Sequence, residues 1–94
     1  MKDHPERAIY HPALTLKYVK PSRRPGLRVV VGTKISKKAT ERNRLKRRLR
    51  EIWRNLAIPA NVAATLYTKP ITLTLSFAEL KAAVTKLTTQ ITRE

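Results

Sequence analysis

Several features on which many proteins depend are missing from this sequence. It contains no cysteine, which excludes disulfide bonds and thiolate metal sites and fits a reducing compartment. Its apolar runs are only a few residues long, so we predict no membrane-spanning helix. The charged residues 1–7 are followed by no apolar stretch and do not resemble a secretory signal. We therefore expect a cytoplasmic protein.

Acidic residues and histidines are too few and too scattered to predict a catalytic centre. Hydrolytic catalysis by a protein commonly uses paired carboxylates that hold metal ions, or a histidine base. The six acids are spread along the chain, and Glu41 and Glu51 would lie on different faces of a helix. His4 and His11 fall in the N-terminal segment, where a solvated or otherwise satisfied histidine is the ordinary state. We assign no catalytic residue and no metal ligand to this chain.

Positive charge is the feature that the sequence has in excess. Its 94 residues include 21 Lys and Arg against 6 Asp and Glu, a formal net charge of +15. Self-repulsion of this size destabilises a compact fold, so a polyanionic partner would explain it. Nucleic acid is the leading candidate, because protein cations release the counterions condensed on phosphates. An anionic membrane surface is the alternative.

The apolar pattern predicts one small domain over residues 1–94, with a folded core at 13–93 and a loose lead-in at 1–12. Strands are predicted at residues 13–19, 27–33 and 63–68, and helices at about 39–56 and from Phe77 onward. Prolines and a glycine separate the first two strands, which predicts an antiparallel hairpin. The second strand, first helix and third strand could form a parallel crossover. Ser76 and Glu79 form a capping-box pattern before the last helix.

The order β-β-α-β-α predicts an α/β (α+β) sandwich, in which helices cover one side of a sheet of three to four strands. In the first helix, a spacing of about 100° per residue places the larger apolar side chains on one face: Leu45, Leu49, Ile52, Trp53 and Leu56. The segment from Lys34 to Arg54 has ten basic and two acidic residues, so internal salt bridges cannot neutralise it. A DNA recognition helix and a calmodulin-like or membrane-binding helix remain alternatives. Both would leave Trp53 and Leu56 exposed, whereas we expect them in the core.

The residue order in this helix carries a specific motif. Residues 37–51 read Lys-Lys-Ala-Thr-Glu-Arg-Asn-Arg-Leu-Lys-Arg-Arg-Leu-Arg-Glu. This order, an alanine, two residues, Arg-Asn-Arg, an aliphatic residue and then basic residues leading into Leu-Arg-Glu, resembles the signature of the bacterial ribonuclease P protein family. Lys69-Pro70 and the run Leu-Ser-Phe-Ala-Glu-Leu at 75–80 resemble further family features, so the similarity covers about residues 13–90.

The resemblance implies a subunit that binds a catalytic RNA and assists 5′-leader removal from precursor tRNA. The RNA would perform the hydrolysis, with Mg²⁺ held by RNA and substrate phosphates and by no protein ligand. The two RNAs are the expected partners, with no membrane and no obligate protein partner. The alternative is a ribosomal-type or general binder of structured RNA. The RNA-binding residues that the resemblance implies are Lys34, Lys37, Lys38, Arg42, Asn43, Arg44 and Lys46. To these we add Arg47 and Arg50, which lie in the same polar band of the helix.

The resemblance also implies a cleft on the sheet for the single-stranded leader. Lys17 and Tyr18 in the first strand are our candidates for it, since an aromatic ring can stack on an unpaired base. Tyr18 could equally be a packing residue between strands. The family fold has a left-handed crossover and an N-terminal helix that lends aromatic residues to the cleft. Here we expect that helix to be shortened or missing, with Ile9 and Tyr10 as partial substitutes.

Overall fold

The computed structural model describes residues 6–58 and 60–92. Within this range four strands form one sheet, and two α-helices and one 3₁₀-helix complete the structure. The strands are β1 (Arg7–Tyr10), β2 (Leu14–Val19), β3 (Gly26–Val30) and β4 (Ala63–Thr68). The helices are α1 (Ala39–Arg54) and α2 (Phe77–Thr92), and the 3₁₀-helix (Pro70–Thr74) lies between β4 and α2. This is the predicted α/β (α+β) class, with four strands in the sheet.

The predicted hairpin between the first two strands is wrong. The strand order is β1-β2-β4-β3, so β4 lies between β2 and β3. The linking segment crosses the beginning of β4, where the Ser22 amide donates to the Asn61 carbonyl oxygen at 2.7 Å. Gly26 then begins β3 at a φ of 145°, a conformation that favours glycine. Turn residues indicate that the chain reverses its direction, but they do not indicate which strands will pair in the sheet.

The predicted parallel crossover is confirmed. β4 pairs antiparallel with β2 and parallel with β3, and α1 connects the two parallel strands. Parallel neighbours need a long connection, which the 16-residue helix supplies. The left-handedness of this crossover stays a prediction.

The predicted loose lead-in is wrong for residues 7–10, which form the edge strand β1. Ile9 pairs with Leu16 and Tyr10 with Thr15. A strand of four residues is too short for the alternation of apolar and polar residues to be recognised. The described part of this segment contains no helix. Residues 1–5, with His4 among them, and Arg93 at the end of the predicted core lie outside the described residues.

Both α-helices pack on the same face of the sheet. The register places Leu16, Leu66 and Val29 side by side on that face, and their side chains share one core with both helices. The apolar stripe of α1 contributes Leu45, Leu49 and Ile52 as buried residues, while Trp53 and Leu56 are partly buried against the same core. The expectation that these last two side chains belong to the core is confirmed.

The predicted capping box begins α2. The Glu79 amide donates to Ser76 Oγ at 3.2 Å, and the Ser76 amide donates to Glu79 Oε1 at 2.9 Å. Two backbone donors at the helix end are thereby satisfied. No helix in residues 6–58 or 60–92 is long and apolar enough to span a membrane.

Candidate nucleic-acid interface

The outward side of α1 carries a shallow basic depression. It is lined by Thr40, Asn43, Lys46, Arg47 and Arg50. Arg47 and Arg50 are exposed, and Lys46 is half-buried, as expected for a lysine whose stem packs on apolar neighbours while its ammonium reaches solvent. We call these five residues the basic depression. It unites four of the predicted RNA-binding residues.

Arg44 lies on the other flank of α1. With Glu41 and Arg48 it lines a narrow cleft that also includes Leu73 of the 3₁₀-helix and Leu80 of α2. At 3.6 residues per turn, Arg42 and Arg44 project about 160° apart around the helix. A flat surface therefore cannot contact both arginines. An RNA that uses all the predicted residues must follow the helix around its circumference.

The basic turn before α1 is held against the first turn of the helix. Arg42 Nη1 donates to the Ser36 carbonyl oxygen at 2.8 Å, and the Ser36 hydroxyl donates to the Glu41 carboxylate. The Lys38 amide donates to Ser36 Oγ at 3.2 Å. Ser36 thus anchors the turn that presents the predicted RNA-binding side chains Lys34, Lys37 and Lys38, all of which are exposed.

Arg42→Ala is expected to lower thermal stability as well as RNA affinity, because the guanidinium holds the Ser36 carbonyl. A hydrogen bond from a charged group contributes about 1.5–3 kcal/mol, less where water competes, so we expect a loss of about 1 kcal/mol and a lower melting temperature. Arg47→Ala is the matched control, since Arg47 is exposed in the basic depression. It should weaken RNA binding alone. Equal melting temperatures for the two variants would contradict an anchoring role for Arg42.

The face of the sheet opposite the helices, the open face, presents side chains in two adjacent rows. The first row runs across the strands as Tyr10, Thr15, Tyr67 and Val30, and the second as Ala8, Lys17, Thr65 and Arg28. Tyr10 is 74% exposed and Tyr67 is 36% exposed. Lys17 Nζ lies 5.3 Å from the centroid of the Tyr67 ring, within the range of a cation–π interaction. The first row thus offers aromatic rings and the second offers cations.

The two candidate leader-binding residues are on opposite faces of the sheet. Lys17 is on the open face, whereas Tyr18 is 1% exposed in the core. Successive side chains of a strand alternate between faces, so these neighbours could not both line one cleft. Tyr18 as a stacking residue is therefore wrong. Tyr67 was not among the predicted leader-binding residues. Its strand alternates, with Ala64 and Leu66 pointing inward, and this alternation could have indicated that Tyr67 points outward.

A metal centre is not apparent in the described part of the chain. No group of three or more His, Asp or Glu side chains there could hold a metal ion. Glu41 and Glu79 are engaged in the local contacts of the two helix N-termini.

Comparisons with known proteins agree with this architecture. The ribonuclease P protein of Thermotoga maritima superimposes with a TM-score of 0.78 at 22% identity, over 90% of this chain and 83% of that one. The Staphylococcus aureus ribonuclease P protein superimposes with a TM-score of 0.69 at 13% identity, over 93% of this chain and 81% of that one. These similarities show the fold. No curated protein matches the sequence significantly.

The family follows from the sequence model of ribonuclease P, which matches residues 4–92. That range contains both the arginine-rich helix and the strands of the open face. The chain therefore belongs to the ribonuclease P protein family, whose members are parts of an RNA-containing endoribonuclease that processes tRNA.

Proposed function

We propose that this chain acts in the cytoplasm as the protein subunit of ribonuclease P, binding the catalytic RNA and assisting 5′-leader removal from precursor tRNA. The observation that carries the proposal is the presence of two separate surfaces with different chemistry. The basic depression and turn around α1 suit the phosphates of a folded RNA. The open face suits an unpaired strand.

The surface around α1 is assigned to the catalytic RNA. Arginine guanidinium groups bind phosphate oxygens through two parallel hydrogen bonds, and lysines add mobile charges. Asn43, exposed among these cations, supplies a donor and an acceptor for a ribose 2′-hydroxyl. Folded RNA is recognised mainly through such backbone contacts.

The open face is assigned to the leader. Its two rows are about 7 Å apart, the length of two residues in a strand. A single-stranded RNA that runs across the strands would stack bases on Tyr10 and Tyr67. Its phosphates would then pass near Lys17 and Arg28, one row away.

The chain supplies binding and orientation, and the RNA supplies the chemistry. In the proposed holoenzyme Mg²⁺ is held by phosphates of the RNA and substrate, where it neutralises developing charge. The scattered acids of the chain support this division of labour, because hydrolysis assisted by protein carboxylates needs them in pairs.

The decisive experiment is a reconstituted cleavage assay with the cognate catalytic RNA. We expect the protein to stimulate 5′ cleavage of precursor tRNA at low Mg²⁺ and to have less effect at high Mg²⁺, where metal ions screen the RNA phosphates themselves. The protein without RNA should not cleave. Absence of stimulation by a folded protein at both concentrations would refute the proposal.

The alternative of a general RNA-binding protein gives a different result in a binding comparison. A general binder should have the same affinity for the complex of catalytic RNA with mature tRNA as for the complex with leader-bearing precursor. The proposed subunit should prefer the precursor complex.

A further inference from the structure

Two side chains of the segment that follows β4 form hydrogen bonds with the backbone of the connection between β1 and β2. Lys69 Nζ donates to the His11 carbonyl oxygen at 2.8 Å, and Thr72 Oγ1 donates to the Ala13 carbonyl oxygen at 2.6 Å. The Lys69 amide donates in turn to Thr72 Oγ1 at 2.9 Å. Thr72 is 0% exposed, so water does not compete for its hydroxyl group. We call this arrangement of Lys69 and Thr72 the clamp.

The clamp holds the part of the sheet that has the least support of its own. β1 has four residues and pairs with β2 along only one of its edges. Short edge elements with few partners open more readily than central strands. The clamp contacts the chain at His11, directly after Tyr10, and again at Ala13, directly before β2.

The same segment is also adjacent to the second tyrosine of the open face. Lys69 follows Tyr67 by two residues, so one side chain connects the neighbourhoods of both rings. Tyr10 and Tyr67 each pair with Thr15 from opposite sides. Two strand spacings of about 4.8 Å separate their backbones, giving about 10 Å.

We propose that Lys69 and Thr72 are positioning residues that fix Tyr10 relative to Tyr67, and so set the spacing of two bases of a single-stranded RNA on the open face. This inference rests on the proposed function of that face. β4 is a central strand, paired on both sides, so Tyr67 keeps its place without the clamp. Tyr10, on the edge strand, does not.

Loss of the clamp should displace Tyr10 but not Tyr67. Double mutants can measure this difference. The probe is a short oligoadenylate, chosen because adenine stacks well and the strand lacks base pairs, and its binding to the full chain is followed by fluorescence anisotropy. Tyr10→Ala and Tyr67→Ala should each weaken binding by between about 5-fold and 150-fold, the range expected when one base–aromatic stack is removed.

Lys69→Met should weaken binding by several-fold in the otherwise unchanged protein. Combined with Tyr67→Ala it should weaken binding by a smaller factor, because the clamp still holds Tyr10 for one base but no second ring remains at a set distance. Combined with Tyr10→Ala, it should cost no more than Lys81→Met. Lys81 is the matched control for the loss of one charge near the same connection. It is an exposed lysine on α2 that lines the groove beside His11 and Ala13, on the side of the sheet that the helices cover. Lys69→Arg should recover most of the binding, since it restores a donor to the His11 carbonyl.

Thr72→Val tests the clamp without a change in charge and should reproduce the pattern of Lys69→Met. If this buried variant does not fold, the lysine series still decides the question. Two results would overturn the inference while leaving the leader surface intact. In the first, Lys69→Met lowers the affinity equally in the unchanged protein, in Tyr67→Ala and in Tyr10→Ala. In the second, it lowers the affinity no more than Lys81→Met does in any of them. If Tyr10→Ala and Tyr67→Ala both leave binding unchanged, the leader surface itself is wrong.

Discussion

Removal of two cations from the basic depression, by Arg47→Ala combined with Arg50→Ala, is expected to weaken binding to the catalytic RNA and to reduce stimulation of cleavage at low Mg²⁺. Each cation–phosphate interaction that is removed should lower the salt slope of binding by about 0.7 to 0.9, so two should lower it by about 1.4 to 1.8. Exposed ion pairs contribute about 0.2–1 kcal/mol each. Affinity at moderate salt should therefore fall by about 2-fold to 30-fold.

The control for this variant removes the same charge from the other helix. Lys81 and Lys86 are exposed on α2, and their double replacement by alanine should change the salt slope much less. Both variants should keep the parental melting temperature, because all four side chains are exposed. Equal changes in slope would show that net charge, and not the basic depression, determines binding.

Tyr18→Ala is expected to have the largest effect on folding among the residues first considered for RNA binding. The side chain is buried between the sheet and the helices, and truncating a large buried aromatic residue costs about 3–5 kcal/mol. Total stabilities of small domains are about 5–15 kcal/mol. The variant should therefore unfold at a much lower urea concentration, or be unfolded without urea.

Tyr67→Ala is the comparison that separates core from surface on the same sheet. Tyr67 is partly exposed on the open face, so its removal should change the urea midpoint little and should weaken binding to single-stranded RNA. A small stability loss for Tyr18→Ala, accompanied by weak RNA binding, would contradict its place in the core.

The local elements were predictable because their signals lie close together in the chain. The apolar stripe of α1 repeats at helical spacing, and the capping box before α2 needs only Ser76 and Glu79. β4 was predicted with its bounds, as six residues between clear turn signals. Each of these depends on contacts between near neighbours.

The pairing of the strands was not predictable in the same way. β2 and β3 are neighbours in sequence but not in the sheet, because β4 takes the place between them and pairs with both. β1 gains its structure from β2 and from the distant Lys69 and Thr72. The sequence of residues 7–10 alone does not indicate with which residues this strand interacts.

The sequence by itself determined the excess of positive charge, its concentration around α1 and the resemblance to the ribonuclease P protein family. These depend on composition and residue order. The tertiary structure decided which of those residues share a surface. In the structure Arg44 lies outside the basic depression, Tyr18 lies in the core, and Tyr10 and Tyr67 lie on one face of the sheet. The reason is that strand pairing and helix rotation, and not nearness in the chain, set the direction of each side chain.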